Sequence, residues 1–147
     1  MNTQSLVTIT RQSGYQFLVD FGPGIDDLQV DEPVPLGHGE GPSPDQMLMA
    51  AVANCLCASL TFSLNKFKQD PGPLSARVSA DVVRNEANRL RIGALKVDIT
   101  LGGQWGAMPH LDRALAQFEE FCTVSMSVRE GIRINVGITD SAGVRIK

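Results

Sequence analysis

Apolar and polar positions alternate along the chain in blocks that change period several times, and each change marks an element boundary. Residues 5–10 and 15–20 are rich in β-branched and aromatic side chains. They are joined by Arg11-Gln12-Ser13-Gly14, which predicts a hairpin with glycine at its turn. Glycines 22, 24, 37, 39 and 41 and prolines 23, 33, 35 and 42 then punctuate residues 22–42, which read as a long surface loop. From Gln46 to Asn65 no residue is charged, and the period becomes helical. Ser43 suits the N-cap, Pro44 the first helical position and Gln46 the third position of a capping box. The helix is expected to reach about Lys68, with Lys66 and Lys68 as a solvated basic end and Pro71 and Pro73 as the stop.

Downstream the period returns to two. Leu74, Ala76, Val78, Ala80 and Val82 share one face of a strand. Leu90, Ile92 and Ala94 alternate, and then Leu95, Val97, Ile99 and Leu101 alternate on the shifted phase, which predicts a β-bulge near Gly93 and Ala94. After the loop Gly102–Met108, Pro109 opens a second helix. Its apolar stripe is Leu111, Leu115, Phe118, Phe121 and Cys122, so Cys122 is expected to face the core. Residues 132–138 alternate Ile132, Ile134, Val136 and Ile138 and read as a final strand. The order predicts an α+β fold, with helices packed on antiparallel sheet, as a single domain over 1–147.

Charge narrows the function classes. A net charge of −3 and the absence of a basic cluster give no reason to expect a nucleic-acid partner. The uncharged helix approaches the length of a membrane span. However, Gln46, Asn54, Ser59, Thr61, Ser63 and Asn65 dilute it, so it reads as the central helix of a globular core and no membrane role is expected. The first residues lack the charged and apolar regions of a signal peptide, and three cysteines cannot all pair within one chain. A cytoplasmic, reducing location is therefore expected.

Cys55 and Cys57 lie halfway along this helix and point about 200° apart. They do not form a joint metal clamp. His38 and His110 stand at no ligand spacing to any cysteine, and a closed zinc site needs four ligands, so no metal is expected. Each cysteine also has a plain reading as a small buried hydrophobe. Sequence distance does not prevent Cys55 and Cys122 from meeting.

The string G-P-S-P-D-Q-x-L-x-A-A-x-x-x-C, ending at Cys55, with a second cysteine in C-T-V-S 67 residues on, resembles the OsmC/Ohr family of thiol-dependent hydroperoxide reductases. The element order resembles it over almost the whole chain. The resemblance implies an intertwined homodimer with its sites at the subunit interface. It implies Cys55 as the peroxidatic thiol and Cys122 as the resolving thiol. It further implies an arginine from the hairpin as activator, for which Arg11 is the candidate, with Arg129 and Arg133 as substitutes. Asp45 stands where the family has glutamate, one methylene longer. No bound cofactor is implied; an external thiol, a lipoyl group or small dithiol, would reduce the disulfide. The expected substrates are organic hydroperoxides.

Geometry limits the activation. Ten residues of helix put Asp45 about 15 Å from Cys55, and a helix dipole fades within a turn. The start of the central helix therefore does not activate Cys55, and a cation from elsewhere is required. Asp45 meets a Cys55 only if a partner helix packs antiparallel across a two-fold axis or if the helix is broken. Two other readings remain open. One is a non-catalytic or weakly active dimer that binds a small apolar ligand at its interface; the other is a structural domain with three core cysteines.

Overall fold

A computed structural model describes residues 3–104, 106 and 108–147. Two residues of the expected loop before the second helix, Trp105 and Ala107, lie outside the described residues. Strands β1 (Thr8–Ser13) and β2 (Gln16–Asp20) form the expected hairpin around Gly14, whose φ of +52° suits glycine. Arg11 pairs with Phe17 across it. Beyond the hairpin the structure corrects the sequence reading: the Gly/Pro loop contains a third strand, β3 (Leu28–Val30), antiparallel to β2. Three residues are too short for a periodic signal, and their neighbours are turn formers.

Asp31 fixes the rest of that loop. Its side chain is almost wholly buried, 1% exposed, and accepts backbone N–H bonds from Glu32 (2.8 Å), His38 (3.0 Å) and Glu40 (3.2 Å). Burial pushes the carboxyl up, but these donors, with Gln16, outweigh it and hold it below the usual carboxylate range. Gly37 is required beside it, because a Cβ there would collide with the Glu32 carbonyl and the Asp31 carboxylate.

Helix α1 (Pro44–Lys66) starts as its sequence dictates. The Ser43 hydroxyl accepts from Gln46 N–H (3.3 Å), and the Gln46 side chain accepts from Ser43 N–H (3.0 Å). By length and composition α1 would cross a bilayer, with a mean hydropathy of 1.8. In this fold it packs against β4 (Ser75–Arg84), β5 (Leu90–Thr100) and the later helices. Strands β4 and β5 form a separate two-stranded antiparallel sheet. Asp81 pairs with Ala94 and Val82 with Ile92, so Gly93 is the extra residue, where the phase slip placed the bulge.

The second half departs from expectation. Helix α2 (Leu111–Gln117) is followed by a 3-10 turn (Phe118–Phe121). The chain is extended at Cys122 and then enters α3 (Thr123–Glu130). One expected helix is therefore two, and the buried stripe is Leu111 and Ala114, while Leu115 and Phe121 are exposed. Cys122 is buried as expected, but at a helix break. Residues 132–138 form no strand. Ile132, Ile134, Val136 and Ile138 are all exposed, Ile134 to 80%, because no sheet edge of this chain meets them. The bridge Thr139–Arg145 and backbone hydrogen bonds of Ile138 with Ile146 and Lys147 close the C-terminal turn.

Two apolar clusters share α1. Leu60 and Leu64 pack with Met108, Leu111 and Ala114, while Val52 and Leu56 pack with Cys122. The opposite face of α1 is uncovered: Ala50, Ala51, Asn54, Ala58 and Phe62 are exposed. Ala51, beside Cys55, is therefore not packed within one chain.

Asp31→Asn is expected to lower Tm by several degrees at neutral pH. Because the folded carboxyl is depressed, its contribution is full above the unfolded value of about 3.9 and fades as pH falls through the folded value. Tm measured against pH should accordingly converge for the two proteins in acid.

Candidate active site

Cys55 and Cys122 meet at the N-terminus of α3. Cys55 projects from the middle of α1 and packs against the cluster formed by Val52, Leu56 and Cys122. Cys122 is the N-cap of α3, with φ −81° and ψ 96°, and its sulfur accepts the Ser125 N–H at 3.4 Å. The first N–H groups of a helix have no partner within it, and here they are turned toward two sulfurs. The Thr123 and Val124 N–H groups act on Cys55, and that of Ser125 acts on Cys122.

The two thiols differ in reach and in charge. Cys122 is wholly buried, whereas Cys55 is half-buried. Burial pushes the Cys55 thiol up, the adjacent Cys122 adds to this, and the α3 N–H groups offset only part of it. Burial also pushes Cys122 up. The Ser125 hydroxyl and N–H, the Cys55 thiol and the Ser59 hydroxyl overcome it and bring Cys122 below the ordinary thiol range. Ser125 Oγ is buried and makes no hydrogen bond, so the 3.4 Å contact with the Cys122 sulfur is made by the Ser125 N–H. The surroundings therefore favour negative charge on Cys122 over Cys55. Cys57 points elsewhere on α1, and burial raises it.

Arg11 is not brought to either sulfur by its own chain. It lies in the exposed hairpin, and its Nε donates to the Gly14 carbonyl at 2.9 Å. Asp45 is exposed in the first turn of α1, beside a shallow pocket lined by Ser43, Gln46, Ala80 and Val82. Arg129 pairs with Glu119 at 3.3 Å on the surface. Lys66, expected as a solvated helix end, holds its ammonium over Phe121 (4.2 Å) and Phe62 (4.8 Å). This contact ties the residue before Cys122 to α1. His38 is exposed, its N–H bound to Asp31. Among the described residues no group of three or more His, Cys, Asp or Glu side chains is placed to hold a metal.

Sequence reasoning missed Ser59, Ser125 and the α3 N–H groups. A signal for them exists in Cys122-Thr123-Val124-Ser125. Threonine, serine and a β-branched residue favour a helix start over a helix interior. A cleft of about 620 Å³ lies between α1, β5 and α3, lined by Leu48, Val52, Leu56, Leu95, Val97 and Ser125 among others. Ser125, whose N–H meets the Cys122 sulfur, lines it, but Cys122 does not. Cys55 is not among its lining residues.

On titration, ultraviolet thiolate absorbance is expected to rise first from Cys122, ahead of Cys55 and Cys57. That step should disappear in Cys122→Ser and persist in Cys57→Ser.

The OsmC-like protein family model matches residues 37–137. No curated protein matches the sequence. Among solved structures, an OsmC-like protein from Mycoplasma pneumoniae superposes with a TM-score of 0.70 at 11% identity, covering 88% of this chain and 89% of that one. An organic hydroperoxide resistance protein OsmC from Legionella pneumophila gives 0.67 at 18%, covering 87% and 92%. An organic hydroperoxide resistance protein from Elizabethkingia anophelis gives 0.64 at 18%, covering 90% and 94%. At these identities the structural likeness speaks for the fold. With the family model spanning both thiols and the turn that opens α1, the chain belongs to the OsmC-like protein family.

Proposed function

We propose that this protein is a cysteine-based peroxidase that reduces organic hydroperoxides and is recycled by an external thiol in the cytoplasm. The observation that carries this is the contact between a reachable Cys55 and a buried, charge-stabilised Cys122 at one helix N-terminus. The Cys55 sulfur attacks the outer peroxide oxygen, the O–O bond breaks, and the Cys55 proton passes to the departing alkoxide. The Cys122 thiolate then displaces hydroxide from the Cys55 sulfenic acid, and a disulfide forms. Two solved relatives are described as organic hydroperoxide resistance proteins, which agrees with this chemistry. An apolar surround favours an alkyl peroxide over hydrogen peroxide, since the alkyl group gains burial.

A homodimer completes the reading. The uncovered face of α1 carries Ala51, Asn54 and Ala58 on either side of Cys55, and β1 is exposed along its whole length. Contiguous apolar surface of this kind marks an interaction site. A second copy packed there would bring a partner hairpin, with Arg11, to Cys55 and offset its raised pKa. Asp45 of the partner would orient the guanidinium, and its short side chain would do so less firmly than a glutamate.

The cleft beside Ser125 favours a second reading, a weakly active dimer that holds a small apolar ligand. Mass spectrometry after one equivalent of cumene hydroperoxide separates the two. A peroxidase should lose the mass of two hydrogen atoms with a Cys55–Cys122 linkage, roughly tenfold faster than with hydrogen peroxide, and Cys55→Ser should abolish the reaction. A ligand binder should show bound mass without oxidation.

Ala58→Glu is expected to convert a dimer to a monomer by light scattering. Arg11→Ala should retain the dimer yet slow oxidation roughly tenfold, the worth of one pKa unit. A monomeric native protein, or full activity in Arg11→Ala, would remove Arg11 from the scheme.

A further inference from the structure

Cys122 follows a 3-10 turn, Phe118–Phe121, that buries none of its own residues. The backbone leaving this turn sets where the Cys122 sulfur lies, so the contacts that hold the turn decide how well the two sulfurs stay together. Phe118 packs partly against both apolar clusters, and Glu119 pairs with Arg129 of α3 at 3.3 Å. Neither contact holds Phe121, the residue next to Cys122.

Lys66 makes that tie. Phe62 precedes it by four residues, so both stand on one side of α1. The Phe62 and Phe121 rings meet edge to face, with centroids 5.9 Å apart. The Lys66 ammonium lies 4.2 Å from the Phe121 centroid and 4.8 Å from that of Phe62. Among the described residues it pairs with no carboxylate, so its charge is directed to the rings. The end of α1 also holds the start of the same segment, since Phe67, its C-cap, stacks on His110 at 5.2 Å. Helix α2 and its 3-10 turn are thus pinned to α1 at both ends, and Cys122 leaves directly after the second pin. That pin is made within one chain, whether or not a second copy covers Ala51, Asn54 and Ala58.

We propose that Lys66 is a positioning residue for the thiol pair: its ammonium over Phe121 fixes the turn that presents the Cys122 sulfur to Cys55, and so favours the disulfide between them. Confinement acts on this equilibrium because any part of the chain left free must be ordered when the bond forms. The coupling is reciprocal, so the disulfide in turn steadies the pin. Exchange with glutathione disulfide measures it. One glutathione disulfide and the two protein thiols give the Cys55–Cys122 disulfide and two glutathione thiols; the protein loses two electrons and two protons, which glutathione gains. For its biological use this rests on the peroxidase reading, in which the same disulfide closes each turnover, but the exchange itself needs no peroxide.

The test uses the full chain in a Cys57→Ser background, equilibrated in glutathione buffers of graded ratio, quenched in acid, alkylated and weighed by mass spectrometry. Lys66→Gln is expected to lower the equilibrium constant for the disulfide roughly two- to fivefold, the worth of an exposed cation–π contact, and Lys66→Arg to keep it. Phe121→Leu should lower it at least as far, and adding Lys66→Gln to Phe121→Leu should lower it no further. Phe67→Leu, at the other pin, is the structural control: it should lower Tm and leave the constant in place. An unchanged constant in Lys66→Gln or Phe121→Leu, additive losses in the double variant, no retention by arginine, an equal fall in Phe67→Leu, or no disulfide in the parent would each overturn the proposal. Cumene hydroperoxide separates it from the peroxidase reading. If that peroxide leaves the thiols reduced while the constants shift as stated, the peroxidase reading fails and the role of Lys66 stands. If it forms the disulfide while the constants do not move, the reverse holds.

Discussion

The extended backbone at Cys122 is the constraint on which the site depends. In one continuous helix from Leu111 to Glu130, the N–H groups of Thr123, Val124 and Ser125 would be bonded to carbonyls a turn earlier. Cys122 would then be one more apolar side chain on a stripe. Breaking the helix there frees those donors where α1 presents Cys55. The buried sulfur becomes a place where negative charge can rest, because donors surround it. The requirement for an activating group is partly met from within the chain, by a helix start other than the one preceding Cys55.

This arrangement needs α1 to be apolar on more than one side. One side packs on α2, α3 and the β4–β5 sheet through Leu56, Leu60 and Leu64. The other remains open with small residues, so that Cys55 sits at the boundary between packed core and uncovered surface. The exposed isoleucines after α3 and the exposed β1 hairpin express the same condition. They carry strand-forming patterns without enough partners in one chain, the condition that the proposed dimer would meet. Arg11 belongs to such a segment, its Nε bound to the Gly14 carbonyl of its own hairpin.

Much of the fold was legible because its signals are local. Ser43, Pro44 and Gln46 satisfy the first turn of α1 among themselves, so the capping box needs nothing from elsewhere. The slip between Ala94 and Leu95 locates the bulge at Gly93, since strand faces alternate strictly. Three features were not legible. Strand β3 is too short to show a period. Asp31 is satisfied in its burial because the N–H groups of His38 and Glu40, seven and nine residues on, join that of Glu32. The break at Cys122 is hidden because Phe118, Phe121 and Cys122 continue the helical spacing of Leu111 and Leu115, even though the backbone does not.

The sequence alone determined the α+β class, the start of α1, the bulge and the family to which the motif around Cys55 belongs. All of these depend on residues within a few positions of one another or on a fixed repeat. The tertiary structure alone decided that Cys122 caps a helix, that the Ser125 N–H meets its sulfur, and that it is buried while Cys55 is the more reachable of the two. Burial and hydrogen bonding set those properties, and both are sums over neighbours that a linear chain does not name.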